Sequence, residues 1–336
     1  MMRHKIVLML ALLCAIAQGT WAQTSWEEVY QKTGTTSDKW TAINAGSTTG
    51  QTLGSAGSTT YCYAGGDLRF TNSNAGGSGL TIQGTVYLYV PQGVTLTCIG
   101  ANANGQTGAG AGIELAAGNT LYLFGGGTVN AMGGNAANGG NGGNGNDAFL
   151  DSDKTILGGS GGNGGHGGGG AGAGIGTRGG TGGSGGGGGQ RTGSSGDEKT
   201  QYGVDGSAGS TGGTADNMGS FYEVLSSVTL VATGGSAGSN GTGGDRGLTA
   251  SQHPGSDVYM ASGGGGGGAG GFGGAASNIG TGGPGGGGGG GGAAGNVACG
   301  SAAATATAGA ASADGRGSAA ETAGTATTAT RRQINI

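Results

Sequence analysis

Between residues 60 and 132 apolar and polar positions alternate. Thr85 to Val90 sends Val86, Leu88 and Val90 to one face and Thr85, Tyr87 and Tyr89 to the other, the period-two pattern of a half-buried strand. Leu80-Thr81-Ile82-Gln83 reads as a short strand closed by Gly84. Thr120-Leu121-Tyr122-Leu123-Phe124, Thr128-Val129-Asn130-Ala131 and Ser227-Val228-Thr229-Leu230-Val231 read as further strands. After the first 22 residues no stretch carries a sustained helical period with caps, so the expected class is all-β.

The strands repeat. Val90 to Gly100 aligns with Leu115 to Gly125, turn on turn (Gly93 with Gly118) and inward position on inward position, at an offset of 25. A longer repeat overlays it: Val129 to Ala136 corresponds to Leu230 to Ala237 about 101 residues later, and Ile175-Gly176-Thr177 returns as Ile279-Gly280-Thr281, 104 later. Short strands and glycine turns at the offset of 25 predict a short parallel β-helix-like scaffold, in which each coil buries its inward face on the next; the longer repeat reads as strands, then a glycine block, then a return to strands. The alternative is a β-sandwich with disordered glycine-rich loops.

Glycine changes the picture most. It supplies 94 of 336 residues, concentrated at 133–219 and 234–299, where stretches such as Asn138-Gly139-Gly140-Asn141-Gly142-Gly143-Asn144 put two glycines before each side chain. Collagen is excluded, because the chain has three prolines. A flexible tether is one reading of such composition. The other is a bundle of polyglycine-II helices, three residues per turn, whose amides have no partner within the helix and must bond to neighbouring helices. Ordering a residue costs about 1–2 kcal/mol and a hydrogen bond returns a net of about 0.5–1.5 kcal/mol, so a lone segment loses and a bundle held at both ends can break even. Phe149-Leu150, Ile156-Leu157, Ile175, Tyr202-Gly203-Val204, Val258-Tyr259-Met260, Phe272 and Ile279 punctuate the blocks as anchors. A tether has no need of them, so the bundle is the expectation.

The remaining organisation follows from composition. Residues 1–22 read as a signal peptide: Arg3, His4 and Lys5, then an apolar run from Ile6 to Ala17, then Thr20-Trp21-Ala22 before Gln23. The apolar run is shorter than the ~20 residues a membrane span needs, and no later segment is apolar enough. Residues 23–59 form a Thr/Ser/Gly-rich segment, 60–132 the scaffold, 133–219 the first glycine block, 220–233 a further scaffold strand region, 234–299 the second block and 300–336 an Ala/Thr-rich tail. The tail departs from the glycine pattern, leaving open a fragment or a shifted reading frame. Charged residues make up 9% of the chain, and loss of Arg3 and Lys5 takes the net charge from −4 to about −6; nucleic acid is therefore not an expected partner. The exported chain keeps an odd set of cysteines, Cys62, Cys98 and Cys299, and alternation turns Cys98 inward beside Val94 and Leu96 as a packing thiol.

The segment from Gly79-Leu80-Thr81-Ile82, through Gly108-Ala109-Gly110-Ala111-Gly112-Ile113, to Gly133-Gly134-Asn135-Ala136-Ala137-Asn138-Gly139-Gly140 resembles exported glycine-rich surface proteins of gut Bacteroidetes. The resemblance covers about 60–300 and implies a secreted or surface-attached protein. The glycine blocks are similar to the polyglycine-II sandwich of T-even-like phage tail-tip adhesins and to glycine-rich antifreeze proteins. The adhesin likeness implies recognition by loops joining the helices, which would be 146–157, 190–204 and 248–260.

Sites of chemistry are sparse. Gly142 to Leu150 fits the nonapeptide of calcium-binding β-rolls, with Asp147, Asp151 and Asp153 as candidate oxygen ligands; the neighbouring nonapeptides lack the motif, and a solvated turn is the competing account. Tyr87, Tyr89 and Tyr122, expected to point outward, are candidates for carbohydrate contact. Carboxylates for glycoside cleavage would have to come from Glu114, Asp147, Asp151, Asp153 and Glu223 on scattered strands. His166 and His253 are isolated, and no catalytic set, cofactor motif or Cys/His metal spacing stands out. The expected function is an exported non-catalytic structural or adhesin-like cell-surface protein, with a host or bacterial surface glycan or protein as partner. The alternatives are a polysaccharide-binding or polysaccharide-cleaving β-helix protein and an ice-binding protein.

Overall fold

The computed structural model describes residues 39–150, 156–190, 204–224, 228–245, 247–248, 250–252, 259–261, 266–294, 297–299 and 332–334. These residues are all-β. Their strands are β1 (Trp40–Ile43), β2 (Gln51–Ala64), β3 (Leu68–Thr71), β4 (Leu80–Tyr89), β5 (Thr95–Ile99), β6 (Ile113–Glu114), β7 (Thr120–Phe124), β8 (Thr128–Met132), β9 (Phe149–Leu150), β10 (Ile156–Leu157), β11 (Ile175–Gly176), β12 (Ser220–Val224), β13 (Thr229–Thr233), β14 (Ala250–Gln252), β15 (Tyr259–Ala261), β16 (Ile279–Gly280), β17 (Val297–Cys299) and β18 (Arg332–Ile334).

Two parallel sheets hold the core. The larger runs β16-β11-β6-β4-β7-β12-β18, with β2 pairing both β1 and β4; the smaller runs β13-β8-β5-β3. Parallel register stacks like on like. Val86 lies opposite Leu121 and Leu121 opposite Phe221, while Leu80, Ile113, Ile175 and Ile279 form a second column. In the smaller sheet Leu68, Leu96, Val129 and Leu230 make one column and Phe70, Cys98, Ala131 and Ala232 the other. These inward residues form one cluster, most of them fully buried. Burying one such large side chain stabilises by about 1.5–3 kcal/mol, so the stacked columns are where the fold gets its apolar driving force.

Two parts of the sequence reading are corrected. First, β1 and residues 51–59 of β2, assigned to a Thr/Ser/Gly-rich segment outside the scaffold, are strands of the larger sheet. Second, the offset of 25 equates β5 with β7, which belong to different sheets. The stacking registers are Val86 on Leu121 and Leu96 on Val129, offsets of 35 and 33. The misalignment has a local cause. Pro91–Val94 and Ala116–Asn119 are the same turn, closed by Val94 N–H to Pro91 C=O (3.1 Å) and Asn119 N–H to Ala116 C=O (3.2 Å). Each has glycine at its third position with positive φ, Gly93 at 80° and Gly118 at 84°. One turn device starts a strand on each sheet. The longer repeats do mark stacking, since Leu230 lies opposite Val129 and Ile279 opposite Ile175.

The glycine blocks leave and rejoin these sheets as seven extended segments: 134–148, 158–174, 177–190, 204–217, 234–248, 266–278 and 281–294. Their hydrogen bonds recur every third residue. Gly161, Gly164, Gly167 and Gly170 donate to Gly189, Gly186, Gly183 and Gly180, whereas Gly165, Gly168 and Ala171 donate to Gly268, Gly271 and Gly274. Tracing such bonds gives two rows. One contains 177–190, 158–174 and 134–148, side by side and antiparallel; the other contains 204–217, 281–294, 266–278 and 234–248. Between rows, 134–148 lies parallel to 234–248 through Gly139 N–H to Ser239 C=O and Gly142 N–H to Thr242 C=O (2.8 and 2.7 Å).

The segments demand glycine because they lie so close. A Cβ on Gly165 would strike the Gly140 carbonyl, one on Gly286 the carbonyls of Gly271 and Phe272, and one on Gly288 the carbonyl of Ser184. Left-handed φ is not the reason here, since none of these three has it. At their far ends five of the segments lead to antiparallel strands, β9 with β10 and β14-β15-β17; β10 lies against β14 and β15. The sequence anchors Phe149-Leu150, Ile156-Leu157 and Tyr259-Met260 are in these strands.

Close packing should separate two glycine-to-alanine changes. Gly286→Ala places a methyl on backbone that cannot yield, and should lower stability by about 2 kcal/mol or more. Gly187 has room, with only Ser207 Oγ within reach of a Cβ at 3.5 Å; Gly187→Ala should be neutral or stabilise by about 0.4–1 kcal/mol. Thermal or urea unfolding of both variants decides it. Equal effects would contradict the packing.

Candidate binding surface

The tyrosines proposed for carbohydrate contact are brought together on the outer face of the larger sheet. Parallel register aligns Trp40, Tyr61, Tyr87, Tyr122 and Tyr222 in one column. Tyr87 and Tyr122 stack at 4.5 Å with planes 6° apart, Tyr61 and Tyr87 at 4.8 Å and 16°, and Tyr122 and Tyr222 at 4.9 Å and 18°. Each contact of this kind adds about 0.5–1.5 kcal/mol beyond area burial. Stacking uses the ring faces, so Tyr87 and Tyr122 turn edges to their surroundings, and a sugar ring has no inner face in the column to lie on. Tyr89 is not the exposed residue that alternation implied. It is 3% exposed, in a cluster with Trp40 and Phe124 from other strands.

Among the described residues the candidate carboxylates do not converge. Glu114 lies on the outer face, accepting from Thr81 Oγ1 (3.2 Å) and paired with Arg178 at 2.9 Å. Glu223 lies opposite the inward Leu123 and is buried at 4% exposure, on the other face of the same sheet. Asp151 and Asp153 lie outside the described residues. Asp147 has a different task from the one its motif suggested: a carboxylate oxygen accepts the backbone N–H of Leu248 at 2.6 Å. Among the described residues no three His, Cys, Asp or Glu side chains gather as a metal set, and no helix is long and apolar enough to cross a membrane.

Asp147 is the last member of an asparagine ladder that sequence reasoning missed. Asn135, Asn138, Asn141 and Asn144 follow one another every third residue along 134–148. Their Oδ1 atoms accept the backbone N–H groups of Ser236, Ser239, Thr242 and Asp245 at 3.0, 2.8, 2.9 and 2.9 Å. Every bond spans 101 residues. Segment 234–248 lies at the end of its row, where one N–H per triplet would have no backbone acceptor; the amide side chain supplies it. The same device recurs at the base of the row, where Asn102 Oδ1 accepts Asn135 N–H at 2.9 Å. Applying the 101-residue repeat to the Gly-Gly-Asn triplets would have placed each asparagine beside its acceptor-seeking partner.

Cys62 and Cys98 are free and buried. Burial pushes the Cys62 thiol up to about 12 and raises that of Cys98 as well. Tyr87 and Tyr122 are also raised, by desolvation first and then by neighbouring tyrosines. Of the loops expected to carry recognition, 146–157 and 248–260 contain β9, β10, β14 and β15 at the far end of the glycine rows, while 191–203 lie outside the described residues. Comparison with family models, with curated proteins and with solved structures yields no match.

Two measurements follow. Asn141→Ala removes the acceptor for Thr242 N–H and should cost about 0.5–1.5 kcal/mol, whereas Asn141→Asp, which keeps an oxygen there as Asp147 does, should cost less; urea midpoints compare them. The raised Cys62 thiol favours the fold while protonated. Above about pH 9 the unfolded chain loses this proton and the folded chain holds it, so stability should fall towards about pH 12, by about 1.4 kcal/mol per pH unit for one such thiol. Cys62→Ala should flatten that fall in urea midpoints taken from pH 8 to 11; an unchanged slope would exclude Cys62 as a cause.

Proposed function

We propose that this chain is an exported, non-catalytic structural or adhesin-like surface protein. In this reading the parallel sheets are the faces of a short β-helix-like scaffold. The glycine segments are polyglycine-II helices that project from it, and their far ends present the antiparallel strands β9, β10, β14, β15 and β17 to a surface glycan or protein. The N-terminal 22 residues serve export, and the resemblance to glycine-rich surface proteins of gut Bacteroidetes gives the setting.

The observation that carries the reading is hydrogen bonding at every third residue across seven segments, each joined to a parallel strand at one end and five of them to an antiparallel strand at the other. Such an arrangement separates two ends by a stiff body. A flexible spacer needs neither the bonds nor the anchors. An adhesive display also suits the placement of Glu114 and Glu223 on opposite faces of one sheet.

Amide hydrogen exchange across 133–219 and 234–299 tests this directly. The amides of Gly161, Gly164, Gly165, Gly167, Gly168 and Gly170, all donors to neighbouring segments, should exchange at least about 100-fold more slowly than in an unstructured peptide of the same sequence, as buried cooperative bonds do. Exchange at the peptide rate throughout both blocks would reduce the arms to tethers and end the reading.

A further inference from the structure

A shallow groove of about 600 Å³ runs along the edge of the glycine rows, between the loop 102–105 and the segment 135–141. Its polar lining is Asn102, Asn104, Asn135, Asn138, Asn141 and His166, with no charged side chain among them. We propose that this groove binds a neutral, extended oligosaccharide. The inference rests on the adhesin-like reading and adds to it a ligand class and a second site, at the base of the glycine rows and apart from the far-end strands.

The asparagines do not point at random. Four of them have Oδ1 committed to a backbone N–H: Asn102 to Asn135, Asn135 to Ser236, Asn138 to Ser239 and Asn141 to Thr242. Each such bond fixes an amide plane and leaves the Nδ2 group, with two donors, for another partner. His166 supplies the opposite chemistry. Its Nδ1 lies 3.1 Å from the Gly167 carbonyl, which can only accept, so the tautomer that makes this hydrogen bond carries its proton on Nδ1 and leaves Nε2 a lone pair. The groove therefore offers a preset row of donors and one acceptor.

Those groups select a class of ligand. An anion would meet donors and no cation to compensate its lost water. An apolar ligand would strip water from the amides without replacing their hydrogen bonds. A hydroxyl both accepts from Nδ2 and donates to Nε2. Asn135, Asn138 and Asn141 follow one another every three residues, about 9 Å in the proposed three-fold helix, so the donors suit successive units of a chain better than one compact molecule. The open groove also lets a long chain pass at either end. The stacked tyrosines, by contrast, offer such a chain ring edges.

The native ladder provides the test, because Asp147 shows that a carboxylate can fill an asparagine's place. The double variant Asn138→Asp with Asn141→Asp keeps both oxygen acceptors and deletes two Nδ2 donors. Asn144→Asp makes the same change on the ladder outside the groove lining and is the control. The mature full chain is titrated with cellohexaose, maltohexaose and mannohexaose, and separately with oligogalacturonate, by calorimetry and NMR. At least one neutral hexaose should bind at or below about 10 mM, at least about tenfold weaker to the double variant and less than about twofold changed by Asn144→Asp. No neutral hexaose binding at that concentration, binding indifferent to the double variant, or binding of oligogalacturonate alone would each overturn the proposal. Amide exchange on the same variants confirms that the rows are intact. Protected glycines without sugar binding would remove this inference and leave the surface-protein reading standing; unprotected glycines would remove both.

Discussion

Everything in the glycine blocks depends on the main-chain N–H having nowhere to bond except a neighbouring segment. An extended segment with bonds at every third residue has no internal ladder, so each amide must find a carbonyl on another segment or remain with water. Reaching that carbonyl requires backbones closer than a methyl group allows, as at Gly165 over Gly140 and Gly288 over Ser184. Glycine raises the entropy cost of ordering by its freedom in the unfolded chain. The offset comes from many bonds formed together between segments anchored by strands, which spares them the loss a free chain would suffer.

The edge of such an array is its weak place, and the edge explains the side chains. At many positions inside the rows a Cβ would strike a neighbouring carbonyl, and 285–292 is glycine throughout. At the end of a row one amide per triplet loses its backbone acceptor, and there Asn135, Asn138, Asn141, Asn144 and Asp147 appear. Elsewhere Ser207 and Ser210 serve similarly, their hydroxyls accepting from Gly187 and Ser184 at 2.7 Å. The residue between two glycines is thus chosen by its position in the lattice, with short side chains that carry an oxygen where an amide would otherwise be open.

How much of this was legible depends on distance along the chain. Alternation at Val86, Leu88, Leu96 and Cys98 gave the inward face correctly, because one strand's pattern contains that information. It could not show that Tyr89 is covered, because Trp40 and Phe124 complete that cluster from other strands. Residues 51–59 are poor in apolar side chains and read as part of a Thr/Ser/Gly-rich segment; pairing with β4 makes them a strand. Strands of two residues, Ile113–Glu114, Ile175–Gly176 and Ile279–Gly280, are too short for any period, and two of them surfaced only as an echo 104 residues apart. The asparagines of the candidate groove were visible as triplets, but their function lies in partners 101 residues away.

That distance is common to both halves of the molecule. Thr128 lies opposite Thr229, Ile175 opposite Ile279 and Thr120 opposite Ser220 in the sheets, while Gly139 bonds to Ser239, Gly165 to Gly268 and Gly183 to Gly286 in the glycine rows. Offsets of 100 to 104 therefore serve strands and glycine segments alike. A layer of strands and its row of glycine segments are placed together on the layer before. Two materials with different internal geometry can share one repeat only if they meet at a fixed height, and Ile175 and Ile279 sit at those meeting points, buried or half-buried at the rim of the core. A slip of the strands by one pair would move every glycine amide off its carbonyl, and a slip of the glycine rows by one triplet would pull the strands out of register. Each half therefore fixes the alignment of the other, which accounts for a precise main-chain array built from the residue with the least conformational preference.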